Sequence, residues 1–352
     1  KIGQGGFATV YRVKHNNTNK IYAMKIISKE RYISSQGKSS LEKLKNEIQI
    51  QKSVNHPNIV QSKLSFSNES NYYIALEYCP GKTIRDYLKN SEKGLLTESE
   101  TRKILKDVLN GLSFLHNRQI IHHDLKLENF IIGSDGRVKI ADFGLATLSK
   151  DEENNSSVCG TPNYMSPEII LKNNNGSGFE SDVWAIGIAA FTMLTGRAPF
   201  SGCTKDAIFE NIKKCIFNFP SQIPLSLEAK DFIKSILRYD PLKRPKALDL
   251  LRHPFLIKYD SEVVHLYKPL HKVHSCLQYS AVHNNELQPK RSMSSMINNN
   301  INMNSKANPS QTPIQPPKMI RYSNLCIPNS SPLRISEDSD SSLKKSPLNY
   351  QC

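Results

Sequence analysis

Two segments near the start of the chain alternate apolar and polar residues, and a polar turn joins them. The segments are GGFATVYRV at residues 5–13 and IYAMKII at 21–27, with HNNTNK between them. This pattern predicts a β-hairpin. Residues 41–54 instead carry apolar side chains at helical spacing, namely Leu41, Leu44, Ile48 and Ile50. NYYIALEYC at residues 71–79 then predicts a further strand, so the first part of the chain is strand-rich with one helix.

In the part of the chain that follows, most apolar residues recur at helical spacing. Thr97 and Glu100 have the spacing of a capping box and begin a predicted helix with apolar residues on one face. The segment ESDVWAIGIAAFTMLTG at residues 180–196 is apolar on nearly all sides, which indicates a buried helix. We favour a core helix over a membrane span there, because the segment is shorter than about 18 uninterrupted apolar residues and contains Asp182.

These elements predict an α+β fold with two lobes. The smaller, strand-rich N-lobe is expected at about residues 1–80 and the larger, α-helical C-lobe at about 81–258. Residues 259–352 form an Asn-, Ser- and Pro-rich linker or tail with few apolar clusters, so we predict that it is largely disordered. Its first part, residues 260–280, is more apolar and is expected to dock either on the domain or on a partner. Because the chain starts at Lys1 within a glycine-rich motif, we expect it to be a fragment.

Charge and cysteine content narrow the classes of protein. The chain has 352 residues and a formal net charge of +15. Its basic residues are spread along the chain, which argues against nucleic-acid binding and favours acidic proteins or substrates. The seven cysteines form no CxxC pair, which favours a reducing compartment, cytoplasmic or nuclear, over a disulfide framework or a zinc site. No apolar run approaches the roughly 18 to 20 residues that a membrane span needs, so we expect no membrane association.

The strongest chemical signal is IHHDLKLEN at residues 121–129, followed by DFG at Asp142. In a phosphoryl-transfer loop with this spacing, Asp124 accepts the proton of a substrate hydroxyl and Lys126 steadies the moving phosphoryl group. Asn129 and Asp142 then hold Mg²⁺ against the phosphates of ATP. A lone Asp or Asn in a loop is more often a turn former or helix cap. Four such groups at these spacings predict a catalytic site.

A second constellation lies in the N-lobe. Gly3, Gly5 and Ala8 form a GxGxxA loop, in which glycine lets the backbone approach phosphates closely. Lys25 on the next strand is expected to contact the α and β phosphates, and Glu47 on the predicted helix to hold Lys25 in place. Each feature alone is typical of a tight turn, a strand lysine or a solvated helix face. Together they predict a nucleotide site.

With these motifs, residues 1–258 resemble a eukaryotic protein kinase, which implies a bilobal kinase fold that uses ATP and Mg²⁺. Lys126 is the residue that serine/threonine kinases carry in the catalytic loop, and Thr161 in GTPNY matches their position beside Asp124. The resemblance therefore implies serine or threonine as the acceptor on protein substrates. It also implies a catalytic set of Asp124, Lys126, Lys25 and Glu47.

The same resemblance assigns further residues. Glu168 of SPE is expected to pair with Arg244, and Asp182 to brace the catalytic loop. Leu76 is the expected gatekeeper. The implied ATP-binding residues are Ile2, Gly3, Gly5, Val10, Ala23, Lys25, Glu77, Cys79 and Ile131.

Several segments are similar to those of polo-like kinases, namely GGFA, LEYC and CGTPNYMSPE. ATVYR, GFESDVW and SLEAKDFI are similar to the centriole-assembly branch of that family. The similarity implies a cell-cycle or centriole role and placement at the centrosome, centriole or spindle pole, with polo boxes beyond Cys352 if the chain is truncated there. An Aurora-like cell-cycle kinase is the alternative, because it shares several of these segments.

Two expectations concern partners. The segment LEYC at residues 76–79 corresponds to the hinge between the two lobes of a kinase. Kinases that prefer Arg near the acceptor often carry Glu after the hinge, whereas this chain has Thr83 there, flanked by Lys82 and Arg85. We therefore expect substrates with acidic residues near the acceptor, the alternative being two solvated cations at a helix start. In the tail, Thr312-Pro313, Ser331-Pro332 and Ser346-Pro347 are candidate proline-directed phosphorylation sites, and the acidic cluster SEDSDSS is a candidate phosphorylation-dependent recognition segment for regulators. Ser157, with Ser156 before it, is the candidate phosphosite of the activation loop.

His123 departs from the kinase pattern, because most kinases have Arg at this position and use it to bind the phosphorylated activation loop. Histidine is mostly neutral near pH 7 unless an anion raises its pKa. We therefore expect activity to depend less on Ser157 phosphorylation than in kinases with Arg, or to be more sensitive to pH.

Two non-catalytic hypotheses remain as alternatives. A pseudokinase that only binds partners is disfavoured, because every group of the catalytic constellations is present. A basic scaffold that binds nucleic acid or microtubules through the tail predicts binding by residues 260–352 that weakens steeply with salt.

Overall fold

The computed structural model describes residues 1–6, 8–36, 40–150, 160–172 and 178–258. Among these residues, a small strand-rich lobe precedes a larger, mainly helical lobe, as the hydrophobic pattern predicts. None of the described helices is both long enough and apolar enough to cross a membrane.

A five-stranded antiparallel sheet forms the centre of the N-lobe. Its strands are β1 (Gly3–Gln4), β2 (Ala8–Lys14), β3 (Ile21–Ser28), β4 (Ser62–Ser67) and β5 (Asn71–Glu77). They lie in the order β1-β2-β3-β5-β4. β2 and β3 form the predicted hairpin, with Val10 opposite Lys25, and β3 pairs with β5 so that Ala23 lies opposite Leu76. The glycine-rich segment, Lys25 and the strand that leads out of the lobe therefore belong to one sheet.

The N-lobe contains two described helices, so the prediction of a single helix is wrong. The predicted helix is α2 (Ser40–Ser53), and α1 (Lys29–Gln36) precedes it directly after β3. The sequence KERYISSQ of α1 is mostly polar, and its few apolar residues set up no helical period. Tyr32 of α1 packs beside a small core made by Ile27, Leu44, Ile48 and Ile74. Tertiary packing thus stabilises a helix that the local pattern does not indicate.

The C-lobe consists of helices and two short ribbons. Its described helices are α3 (Ile84–Lys89), α4 (Glu98–Asn117), α5 (Pro167–Leu171), α6 (Phe179–Thr195), α7 (Lys205–Lys214), α8 (Leu227–Ile236), α9 (Ala247–Leu250) and α10 (Pro254–Ile257). The antiparallel ribbons pair β6 (Ile120–Ile121) with β9 (Thr147–Leu148), and β7 (Phe130–Ile132) with β8 (Val138–Ile140). The turns that carry the predicted catalytic groups lie beside these ribbons.

Two helices fix the core of the C-lobe as predicted. α4 begins with the capping box: the Glu100 amide donates to Thr97 Oγ1 (3.2 Å) and the Thr97 amide donates to the Glu100 carboxylate (2.9 Å). α6 is buried along nearly its whole length, with Trp184 fully buried. A Cβ atom on Gly187 of α6 would lie 2.6 Å from the side chain of Ile236, so glycine permits close packing of α6 against α8.

Candidate active site

A cavity of about 410 Å³ is lined by residues of both lobes, a volume in the range of small-molecule sites. β1, β2 and β3 contribute one wall, the segment after β5 contributes another, and β7 contributes Ile131. The cavity lining contains all residues predicted to bind ATP, namely Ile2, Gly3, Gly5, Val10, Ala23, Lys25, Glu77, Cys79 and Ile131. Leu76, Asn129 and Asp142 line it as well.

Lys25 joins three elements at the inner wall of this cavity. Its Nζ donates to Glu47 Oε1 of α2 (3.3 Å) and to Asp142 Oδ1 (2.8 Å). Burial by itself lowers the pKa of Lys25, but the two carboxylates outweigh it and raise the pKa above its usual range. The charge of Lys25 in turn holds the pKa of Asp142 below its usual range. Lys25 and Asp142 are therefore both charged at neutral pH.

Asp142 and His123 have backbone conformations that side chains rarely adopt. Their φ angles are 62° and 64°, both in the left-handed region. Such conformations are costly for residues with a Cβ atom and are frequent at active sites, where surrounding contacts maintain them. The two residues lie on the two turns that carry the predicted catalytic and metal-binding groups.

Asp124, Lys126 and Thr161 form a closed triangle of hydrogen bonds. Lys126 Nζ lies 2.6 Å from Asp124 Oδ2 and 2.9 Å from Thr161 Oγ1, and the Thr161 hydroxyl donates to Asp124 Oδ1 (2.8 Å). Asn129 Nδ2 donates to the main-chain oxygen of Asp124 (2.8 Å). Asn129 Nδ2 also donates to Asp124 Oδ2 (3.2 Å), so three side chains orient the Asp124 carboxylate, an arrangement that suits a general base.

Asp182 fixes the backbone of the catalytic loop through hydrogen bonds to its amides. Its carboxylate accepts hydrogen bonds from the amides of His122 (2.8 Å) and His123 (2.9 Å), and lies 3.0 Å from His116 Nε2. Burial opposes the charge on Asp182, but the bond from His116 and the neighbouring histidines outweigh it, so its pKa is lowered. The carboxylate therefore holds two consecutive amides of the loop in place.

His122 is a buried, neutral side chain in the core of this loop. Burial lowers its pKa. Nδ1 accepts from the Asp124 amide (3.3 Å), so Nε2 carries the proton and donates to the main-chain oxygen of Ala141 (3.2 Å). His122 thereby connects the loop of Asp124 to the residue that precedes Asp142.

His123 occupies the position where Arg was expected. Its Nε2 lies 2.8 Å from the Thr147 hydroxyl of β9. A Cβ atom on Gly160 would lie 3.0 Å from the main-chain oxygen of His123, so the end of the activation segment approaches this residue closely. Ser156 and Ser157 lie outside the described residues, as does the tail after residue 258.

Glu168 and Arg244 form a buried ion pair in the C-lobe. Arg244 donates to both carboxylate oxygens of Glu168 (2.7 and 2.9 Å), and its guanidinium stacks over Trp184 at 4.8 Å from the ring centroid. Burial of Glu168 raises its pKa, but the bonds from Arg244 outweigh this and lower it. The pair attaches α5, which follows the activation segment, to the turn after α8.

The segment after β5 presents backbone groups at the cavity. Glu77 donates its amide to Gln61 O (2.8 Å), whereas among the described residues Cys79 makes no backbone–backbone hydrogen bond. Burial raises the pKa of the Cys79 thiol to about 12, so this thiol is protonated at neutral pH. A Cβ atom on Gly81 would lie 2.4 Å from the main-chain oxygen of Ile132, so glycine lets the segment pass close to β7.

The cavity also contains residues that the sequence analysis missed. Val60 and Ala141 contribute apolar surface. Gln51 lies one helical turn after Glu47 on α2, is 1% exposed, and its Nε2 has no hydrogen-bond partner among the described residues. Its spacing from Glu47 is the only signal that could have placed it here.

Comparison with known proteins gives the family of this chain. A sequence profile described as "Protein kinase domain" matches residues 1–256. The chain belongs to the protein kinase family. Curated relatives include the probable serine/threonine-protein kinase CCRP1 of Zea mays, 40% identical over 256 residues that are 72% of this chain and 40% of the relative.

Other relatives of the kinase domain point to the polo-like group. The cell cycle serine/threonine-protein kinase CDC5/MSD2 of Saccharomyces cerevisiae is 38% identical over 251 residues, which cover 71% of this chain and 35% of the relative. The serine/threonine-protein kinase polo of Drosophila melanogaster is 39% identical over 256 residues, covering 72% and 43%. The predicted resemblance to serine/threonine kinases of the polo-like group is thus confirmed. The chain spans less than half the length of these curated relatives.

A protein kinase domain uses ATP and in general a divalent metal ion. The residues present fit such an ion. Asn129 donates its amide nitrogen to Asp124, which leaves its side-chain oxygen as a ligand, and Asp142 supplies a carboxylate. The described residues contain no group of three or more His, Cys, Asp or Glu side chains that could hold a metal alone. Mg²⁺ is usually bound by one or two carboxylates together with nucleotide phosphates.

Proposed function

We propose that the chain transfers the γ-phosphoryl group of MgATP to serine or threonine hydroxyls of proteins. The observation that supports this most strongly is the hydrogen-bonded triangle of Asp124, Lys126 and Thr161. Asp124 and Lys126 lie on the loop that also carries Asn129, a residue of the cavity lining. Kinases place a general base, a phosphate-binding lysine and metal ligands in this relation. A pseudokinase has no need of an oriented general base.

Each residue has one role in this reaction. Asp124 accepts the proton of the substrate hydroxyl, and Lys126 stabilises charge on the transferred group. Lys25, positioned by Glu47, contacts the α and β phosphates. Asn129 and Asp142 are the proposed ligands of Mg²⁺, which when bound neutralises charge on the phosphate oxygens.

The test is transfer of labelled γ-phosphate to casein by the purified chain. We expect transfer by the wild type and its loss in Asp124→Asn, which keeps the shape of the side chain but removes the base. Lys213→Met serves as control, because the ion pair that Lys213 forms with Glu210 on α7 is exposed. Nucleotide binding without transfer by the wild type would favour the pseudokinase alternative.

For substrate choice we propose a preference for acidic residues near the acceptor. Thr83 caps α3, and Lys82 and Arg85 flank it. Arg85 lies 3.6 Å from Glu128, with both side chains partly exposed, so an exposed pair of this kind contributes little and can open for a substrate carboxylate. The test is a peptide array that compares the wild type with Arg85→Ala. Loss of the preference for acidic residues in the variant supports the proposal. A preference of the wild type for Arg upstream of the acceptor contradicts it.

We further propose a cell-cycle role in the cytoplasm or nucleus, with placement at the centrosome, centriole or spindle pole. The support is the similarity to relatives that are named as cell-cycle and polo kinases. The tail is the proposed site of regulators. A fluorescent fusion of the full-length protein should coincide with a centrosome or spindle-pole marker in dividing cells, and a uniform distribution would contradict this placement.

A further inference from the structure

Lys139 is a buried lysine that the proposed phosphoryl transfer does not use. It lies in the middle of β8 with its side chain 7% exposed. Its Nζ lies 2.9 Å from Glu77 Oε1, 2.9 Å from the main-chain oxygen of Pro57 and 3.9 Å from Asp135 Oδ2. Burial of an ammonium group is costly unless it is paired and hydrogen-bonded. These three partners therefore determine the place of Lys139.

The backbone around Lys139 leaves space for its stem. A Cβ atom on Gly133 would lie 2.6 Å from Lys139 Cε and 3.3 Å from Lys139 Cδ. Gly133 lies in the turn between β7 and β8. Glycine at this position leaves room for the lysine stem and for Asp135 Oδ1, which would lie 2.7 Å from the added Cβ atom. A left-handed backbone is not its reason, because its φ lies outside that region.

Two of the elements that hold Lys139 are firmly joined to each other. Asn58 Nδ2 donates to Val138 O (3.0 Å), and the Ile140 amide donates to Asn58 O (2.9 Å). The Val60 amide donates to Ile140 O (2.9 Å). The segment between α2 and β4 is thus fixed to β8, and Lys139 extends from this joined base.

Glu77 is the partner of Lys139 that belongs to the nucleotide site. It ends β5, where the chain leaves the N-lobe sheet for the segment that contains Cys79. Its carboxylate also accepts from the Gln61 amide (3.4 Å). The Lys139–Glu77 pair therefore connects a C-lobe ribbon to the first residue of the hinge.

We infer that Lys139 is a positioning residue for nucleotide binding. Its ion pair with Glu77 holds residues 77–79 so that their backbone groups face the base of the nucleotide. Without Lys139, the Glu77 carboxylate would lose its cation and would turn toward solvent, which would displace residues 77–79. The role of these backbone groups as adenine contacts rests on the proposed function.

The test replaces Lys139 with Met, which has a similar length and no charge. Removal of one partner of a buried pair is strongly unfavourable, so we expect about tenfold weaker binding of a fluorescent ATP analogue. The kcat value should change less than about twofold, because Asp124 and Lys126 do not contact Lys139. Hydrogen exchange of the peptide that covers residues 77–81 should become faster than in the wild type.

Two further variants separate this role from general destabilisation. Lys213→Met removes an exposed ion pair of the same length (2.9 Å to Glu210) on α7 and should leave nucleotide affinity unchanged. The double variant Lys139→Met with Glu77→Gln no longer contains the Glu77 carboxylate, and the partly exposed Asp135 still has Arg137 at 3.9 Å. It should fold more stably than Lys139→Met and recover part of the affinity.

The role of Lys139 and the proposed kinase activity can fail independently of each other. Wild type that binds nucleotide but transfers no phosphate overturns the kinase activity, whereas the role of Lys139 is still decided by affinity. Affinity of Lys139→Met within twofold of the wild type, or unchanged exchange of the hinge peptide, overturns the inference. No recovery in the double variant overturns it as well.

Discussion

Replacement of Thr161 by Ala is a sharp test of the catalytic geometry. The Thr161 hydroxyl donates to Asp124 Oδ1 (2.8 Å) and accepts from Lys126 Nζ (2.9 Å), so the substitution removes one hydrogen bond from each charged group. A hydrogen bond to a charged group contributes about 1.5 to 3 kcal/mol, and about 1.36 kcal/mol corresponds to tenfold in rate. If the orientation of Asp124 matters mainly in the transition state, kcat falls about 10- to 150-fold.

The loss should stay smaller than in Asp124→Asn, because Lys126 still contacts Asp124 Oδ2 directly at 2.6 Å. Steady-state phosphorylation of casein at saturating ATP gives kcat, and binding of a fluorescent ATP analogue checks that the cavity is intact. Thr161→Ser keeps the hydroxyl group and should retain activity within about threefold. If Thr161→Ala keeps full kcat, or if Thr161→Ser loses as much as Thr161→Ala, the hydroxyl does not orient the base.

Three further predictions concern stability and regulation. Arg244→Met leaves Glu168 buried without its cation, so we expect a loss of about 3 to 5 kcal/mol and a fall in Tm of roughly 6 to 20 °C. The folded-state pKa of Glu168 is lowered, so its stabilisation is present above the unfolded value near 4.3 and is lost as pH falls. The difference in Tm between wild type and variant should therefore hold from pH 7 to about pH 5 and shrink as the pH falls below about 4.3, and a difference that stays constant below that pH would argue against the ion pair as its cause. Gln51→Leu removes a buried amide nitrogen that has no acceptor within the described part of the chain, and it should raise Tm in a thermal melt, whereas a lower Tm would show that the amide has a partner. Ser157→Ala should retain more activity in the wild-type background than in His123→Arg, as measured by casein phosphorylation, and complete loss in both backgrounds would refute a reduced dependence on phosphorylation.

The sequence by itself determined features that depend on neighbouring residues. The capping box of Thr97 and Glu100, the β2–β3 hairpin and the buried helix at 179–195 all follow from side chains a few positions apart. The spacing within residues 121–129 likewise places the candidate catalytic groups on one loop. Periodicity and turn chemistry are local properties, and a single chain displays them without reference to its fold.

Only the tertiary structure decided which distant groups meet. Lys25 and Asp142 are 117 positions apart, and no local pattern predicts that Lys25 Nζ lies 2.8 Å from Asp142 Oδ1. The same holds for Lys139 at the hinge and for Gln51, a residue of a polar-looking helix face that turned out to be buried in the cavity. α1 forms because Tyr32 packs against the small core of the N-lobe, not because its sequence favours a helix. Packing over long separations selects these contacts, since their free energy comes from burial and charge pairing that exist only in the folded chain.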